Sequence, residues 1–182
     1  MKKLLIALSL TLACVSGAAA QEVSISYGAY TQMDVVNNHK GFSDVNTAWG
    51  AVNVSLYCPV AKNFMIGPSY TYSSAFTPKG SYNVPYIGEV DLKSQVGYHV
   101  LLLNFKYNYY QNSIVKLYAH LGAGAVISHM MPKGQPSYNK GYFAGHISPI
   151  GADVNITPHV SMFGELGFGA QGLLQVGFKY QF

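Results

Sequence analysis

Residues 174–182 read Leu-Gln-Val-Gly-Phe-Lys-Tyr-Gln-Phe, and this stretch decides the fold. Leu174, Val176, Phe178, Tyr180 and Phe182 take every second position, with Gln175, Gly177, Lys179 and Gln181 between them. Successive side chains of a strand point to opposite faces, so one face is apolar and aromatic and the other small or polar. A soluble β-sandwich has the same period. Composition separates the two. Charged residues make up 10 % of the chain and aromatics 14 %, with 15 Tyr. That is too little charge to wet the whole outside of an ordinary domain. Part of the exterior must meet something other than water.

A membrane helix needs roughly 20 apolar residues. Beyond the N-terminal segment the longest aliphatic run is 100–103, so no helix of this chain crosses a bilayer. A closed barrel is the other structure that satisfies every backbone group in lipid. Its signature is a series of alternating segments of roughly ten residues with aromatics near their ends.

Working back from 174–182, seven further segments alternate. Val160, Met162, Leu166 and Phe168 oppose Ser161, Glu165 and Gly167. The segment 142–156 alternates least clearly. Val115, Leu117, Ala119, Leu121, Ala123 and Ile127 oppose Lys116, Tyr118, His120, Gly122 and Ser128. Leu101, Leu103, Phe105 and Tyr107 oppose Leu102, Asn104, Lys106 and Asn108. Phe64, Ile66, Tyr70 and Tyr72 oppose Gly67, Ser69, Thr71 and Ser73. Val52, Val54 and Leu56 oppose Ala51, Asn53, Ser55 and Tyr57, and Val23, Ile25, Tyr27 and Ala29 oppose Ser24, Ser26, Gly28 and Tyr30. The expected fold is all-β, an eight-stranded antiparallel up-and-down transmembrane barrel. Tight turns at 59–62, 110–112 and 157–159 alternate with longer polar connections at 34–46, 77–93 and 129–140. The last connection, 169–172, is short. Both ends then fall on the side of the short turns, and the long connections on the other.

Residues 1–20 read as a secretory signal. Lys2 and Lys3 precede a short apolar run, and Ala18-Ala19-Ala20 precedes Gln21. Cys14 offers a rival reading as a lipid-attachment site, but Thr11 is atypical for one and the Ala triplet would lose its purpose. Residues 21–182 then form one domain. Cys58 is its one cysteine, so no internal disulfide is expected. Every basic residue is Lys, and a chain without Arg is poorly suited to nucleic acid.

A terminal Phe182 behind Tyr180, Phe178, Val176 and Leu174, in an exported chain, resembles the last strand of small eight-stranded outer-membrane β-barrel proteins, of the OmpX and OmpA membrane-domain type. The resemblance covers residues 21–182 as pattern. It implies an outer-membrane location, contact with outer-membrane lipid, and reading of Phe178, Tyr180 and Phe182 by the barrel-insertion machinery. It implies no active site. Those barrels often carry Arg inside, and this chain has none.

An eight-stranded barrel is just wide enough for side chains to fill it. The inward positions hold Lys106, Lys116, Lys179 and one acid, Glu165. A buried carboxylate needs donors, and Lys116, Tyr118 and Lys179 are the candidates, forming an interior polar network with Lys106. His146 and Ser148 share a strand face and resemble the His-x-Ser pair of outer-membrane lipid A deacylases, where His activates Ser. In that family the pair lies near the last strand. Here it lies on the sixth, is followed by Pro149, and has no nearby Glu. Pro68 and Pro149 each remove a ladder hydrogen bond. They read as β-bulges, or as the lateral gaps of the outer-membrane palmitoyltransferase barrel. His129-Met130-Met131 could suit a soft metal, but ordinary loop residues explain it as well, and no metal or cofactor is expected. Tyr82, Val84, Pro85, Tyr86, Ile87, Met130, Met131, Pro132 and Tyr138 are apolar or aromatic residues in long connections, suited to an extracellular protein or glycan. The expected role is structural or surface-interacting. A lipid-modifying enzyme and a narrow channel are the alternatives.

Overall fold

The alternation of Val23, Ile25 and Tyr27 with Ser24 and Ser26 becomes strand β1, Glu22–Ala29, in a computed structural model that describes residues 22–32, 49–76, 81–84, 88–91, 95–131 and 138–182. Nine more strands follow: β2 Ala51–Ala61, β3 Phe64–Phe76, β4 Ser81–Val84, β5 Gly88–Asp91, β6 Gln95–Gln111, β7 Val115–Met131, β8 Tyr138–Asn155, β9 Val160–Gly169 and β10 Leu174–Gln181. Eight of the ten strands close a barrel in the order β1-β10-β9-β8-β7-β6-β3-β2. Every pairing is antiparallel, and β1 closes on β10 with Ile25 opposite Phe178 and Ser24 opposite Lys179. The signal-peptide segment and the first long connection lie outside the described residues.

The barrel is inside out compared with a soluble protein. Ser24, Ser55, Thr71, Asn104 and Ser161 are buried, while Ile25, Leu101, Leu121, Ile147, Leu166 and Val176 are exposed. Aromatic groups flank this aliphatic belt at both ends. Tyr27 packs on Trp49, and Tyr70 and Tyr72 on His99, toward the long connections. Phe64 packs on Tyr107, and Tyr180 on Phe182, toward the short turns. A closed hydrogen-bonded wall with an apolar belt between two aromatic girdles is a bilayer-spanning barrel.

Several expectations need correction. β6 begins six residues before the expected Leu101 and runs through Gln111, because Tyr98, Val100 and Leu102 face inward and blur the polar-apolar contrast. The connection 77–93 carries a hairpin, with Ser81 paired to Asp91. The third long connection is shorter than 129–140, since β7 continues to Met131 and β8 starts at Tyr138. The side chains of Tyr82, Val84, Met130, Met131 and Tyr138 are outside the description, as are Pro85, Tyr86, Ile87 and Pro132 altogether. Pro68 sits in a regular ladder opposite Leu103 and makes no bulge. Pro149 does. Tyr118 pairs with Gly151 but His120 pairs with Ser148, so β8 holds one extra residue at the proline. The same shift appears against β9, between Ile147 and Ile150.

The short connection after β9 folds into the lumen. Ala170 and Gln171 are fully buried. The Ala170 amide donates to the Gly145 carbonyl at 2.9 Å, the Gln171 amide group donates to Ser69 Oγ at 2.9 Å, and Asn53 Nδ2 donates to the Gln171 carbonyl at 3.2 Å. This small plug therefore ties β8, β2 and β3 across the barrel. Beside it Tyr98, Val100, Leu102, Val126, Ala144 and Ala170 form an apolar cluster.

Gly28 makes room for the plug. A Cβ built there would lie 1.7 Å from the Gln171 carbonyl oxygen. Gly28→Ala should therefore lower stability by about 1–3 kcal/mol, the usual cost of overpacking. Gly141→Ala, whose Cβ meets nothing nearer than 3.9 Å, should leave it unchanged or slightly raised. Urea unfolding in detergent micelles, followed by the fluorescence of the single tryptophan Trp49, measures both.

Candidate functional site

The polar residues of the lumen form two connected groups. The first lies near the short turns. Lys106 on β6 donates to both oxygens of Glu22 on β1, at 2.8 and 3.1 Å, and stands 3.4 Å from Asp153 on β8. Lys179 on β10 meets Asp153 at 2.5 Å and Glu22 at 3.6 Å. All four are buried. The Tyr118 ring faces both ammonium groups, 4.4 Å from Lys106 Nζ and 4.1 Å from Lys179 Nζ. Phe163 covers Lys179 from another side at 4.3 Å. Two cations thus face two carboxylates, with aromatic faces filling the directions the carboxylates leave open. Lys116 is half-buried at the rim and donates to Gln181, which in turn reaches Glu22.

The second group centres on Glu165, on β9. Tyr118 donates to its Oε1 at 2.6 Å, and His120 Nδ1 to its Oε2 at 3.1 Å. Gln175 Nε2 also reaches Oε2, at 3.3 Å, and donates to His146 Nε2 at 3.1 Å. Tyr57 lies 3.2 Å from His120 Nε2. Gln175 Oε1 accepts from Asn53 at 3.2 Å and from Ser26 at 3.3 Å. Asn53 accepts from Thr71 at 2.7 Å, which fixes its own orientation. The chain of bonds therefore runs from Glu165 up to the plug.

The inward residues expected from sequence separate between these groups. Tyr118 reaches Glu165, whereas Lys179 turns to Asp153 and Glu22, and Lys116 to Gln181. Glu165 is not the one inward acid, since Glu22 and Asp153 are buried beside the lysines. Glu22 lies one residue before the segment in which alternation was legible. Asp153 lies beyond the Pro149 bulge, which reverses the phase of β8. Two-residue phasing counted from Val154, after the bulge, would have found it.

His146 and Ser148 both face the lumen and are buried. They do not form a nucleophile pair. Ser148 Oγ bonds the carbonyls of Ile150 at 3.3 Å and Leu166 at 3.0 Å, and His146 bonds Gln175. Pairing places Ser148 opposite His120 and His146 opposite Gly122. Among the described residues one group of possible metal ligands converges: His120, His146 and Glu165, each with a ligand atom within 4.8 Å of the others'.

No family model matches the chain, and no curated protein matches its sequence. Solved structures do match. The N-terminal β-barrel domain of Pseudomonas aeruginosa OprF superposes with a TM-score of 0.58 at 10 % identity, over 92 % of this chain and 100 % of that one. The fold is that of a small eight-stranded outer-membrane barrel. The Yersinia pestis outer membrane protein Ail, in a phospholipid bilayer nanodisc, gives a TM-score of 0.48 at 15 % identity, over 90 % of this chain and 99 % of that one.

The ionic group yields a prediction. Lys106→Met leaves two carboxylates facing one ammonium and should cost about 3–5 kcal/mol, the usual penalty for breaking a buried pair. Adding Glu22→Gln restores charge balance and should recover more than half of that loss. Urea midpoints of both single variants and of the double variant decide it. Strictly additive losses would mean that the four ions do not act as a unit.

Proposed function

We propose that this protein is an outer-membrane barrel that acts as an envelope component and surface-contact scaffold and does not conduct solutes. The filled lumen carries this reading. The paired ions, the Glu165 network, and the inward-folded Ala170 and Gln171 with the apolar cluster beside them occupy the lumen. A conducting pore would need to keep that path wet. The same filling supports a rigid support for the long connections, which this reading places outside the cell, where residues such as Tyr82, Val84 and Tyr86 would meet protein or glycan. Residues 1–20 direct export, and the alternating last strand ending in Phe178, Tyr180 and Phe182 is what the insertion machinery engages.

A lipid-modifying activity has less support. A nucleophilic Ser148 would need His146 as its base, and its hydroxyl is instead held by two backbone carbonyls. Both side chains face the buried lumen and not the acyl chains outside.

Reconstitution tests the reading. The purified barrel should give no unitary conductance in a planar bilayer, and lipid A from producing cells should keep its mass. Stepwise conductance would establish the channel, and an altered acyl count the enzyme. An epitope inserted between Val84 and Gly88 should be labelled on intact cells, while one inserted in the turn after Ala61 should not. The reverse pattern would overturn the assigned orientation.

A further inference from the structure

We infer that His120, His146 and Glu165 form a binding site for a divalent first-row transition-metal ion inside the barrel, with Zn2+ as the reference ion. The three residues come from β7, β8 and β9, so their spacing is set by the wall and not by loops. His120 Nδ1 and Glu165 Oε2 stand 3.1 Å apart. Tetrahedral zinc, with bonds of roughly 2.0–2.2 Å, wants ligand atoms separated by about 3.4 Å. Closing the whole set from within 4.8 Å requires side-chain shifts of about an ångström. Two imidazoles and a carboxylate are a nitrogen and oxygen set that suits zinc and its neighbours and does not suit calcium.

The hydrogen bonds already aim one ligand. Gln175 is held by Asn53 and Ser26 at its oxygen, so its amide nitrogen must face His146 and Glu165. His146 Nε2 therefore presents a lone pair toward the cluster, and its proton sits on Nδ1, a buried atom with no hydrogen-bond partner. The Gln175 amide group bridges that lone pair and the carboxylate, which is the place a cation would take. On binding, a metal replaces this bridge and Gln175 swings aside. The His120 proton moves from Nδ1 to Nε2, which changes from acceptor to donor toward the Tyr57 hydroxyl. Tyr118 keeps its bond to the free oxygen of Glu165. Tyr57 and Tyr118 are the outer partners such a site needs.

Charge favours the same conclusion. Among the described buried residues there are three carboxylates, Glu22, Asp153 and Glu165, and two ammonium groups, Lys106 and Lys179. The lysines are engaged with Glu22 and Asp153. Glu165 is left with neutral donors and the imidazoles, and a bound cation would offset its charge in a medium where an unbalanced one is costly.

The test uses the full chain extracted from membranes in detergent, incubated with ZnCl2 and dialysed. Elemental analysis should find one zinc per chain, and the unfolding temperature should rise with added zinc. Cobalt in place of zinc should give the visible d–d absorption of a four-coordinate site. A variant with His39, His99, His129 and His159 all replaced by Ala should keep the zinc. His146→Ala and Glu165→Gln should weaken binding beyond the roughly 10–100-fold that loss of an outer partner costs, and Tyr57→Phe should stay within that range. Failure of the wild-type chain to retain zinc would overturn the proposal, a result that needs no variant to fold. Loss of zinc in the variant lacking the four other histidines would do the same, by placing the metal on those residues.

Discussion

Four buried ions hold this barrel in register. Glu22, Lys106, Asp153 and Lys179 come from β1, β6, β8 and β10, and rings from β2, β7 and β9 pack round them. A buried ion group adds little raw stability over a well-packed apolar one. Its effect is on specificity. A one-residue slip of any strand turns its whole inward face outward. For β6 or β10 that would turn a lysine toward the lipid side beside the aromatic girdle, at a cost of up to about 1 kcal/mol, and would leave two acids facing a single ammonium group. Closure depends on the same group, because Glu22 and Lys179 lie on the pair of strands that seals the cylinder. The order of the strands follows from antiparallel neighbours with short connections. Their register follows from the ions.

That division explains what was legible in the sequence. Face assignment in β1, β2, β7, β9 and β10 could be read directly, since aliphatic and aromatic residues alternate there with Ser, Asn, Gln and Gly. It failed where contrast failed. Tyr98, Val100 and Leu102 are apolar residues that point inward, so the upper part of β6 does not look like half of an alternating strand. In β8 the extra residue at Pro149 reverses the phase, which puts His146 and Ser148 on the inward face before it and Gly151 and Asp153 on the same face after it. Reading through the bulge with one period hides Asp153, and with it half of the negative charge in the ionic group. The connection 169–172 was legible as short but not as buried, because nothing in Gly-Ala-Gln-Gly signals that its backbone and the Gln171 side chain will find partners on β2, β3 and β8.

The Glu165 group could not be read for a different reason. Its members were recognisable one at a time, His120 and Glu165 as inward residues and His146 as half of the His-x-Ser pair. Their convergence depends on strand tilt and on which residue stands beside which, and neither is a local property. Small residues decide it. An eight-stranded barrel has room for large inward side chains only where their neighbours are small. Tyr118 lies across Gly151, where a Cβ would come within 2.4 Å of its ring, and that position brings its hydroxyl to Glu165. Gly167 makes room for His146 in the same way, since a Cβ there would come within 3.0 Å of its ring, and Gly122 makes room for Asn104. The inward faces therefore read as weakly polar and rich in Gly because each large polar group requires an empty place beside it. In so narrow a lumen, the distribution of Gly determines which charged and imidazole groups meet.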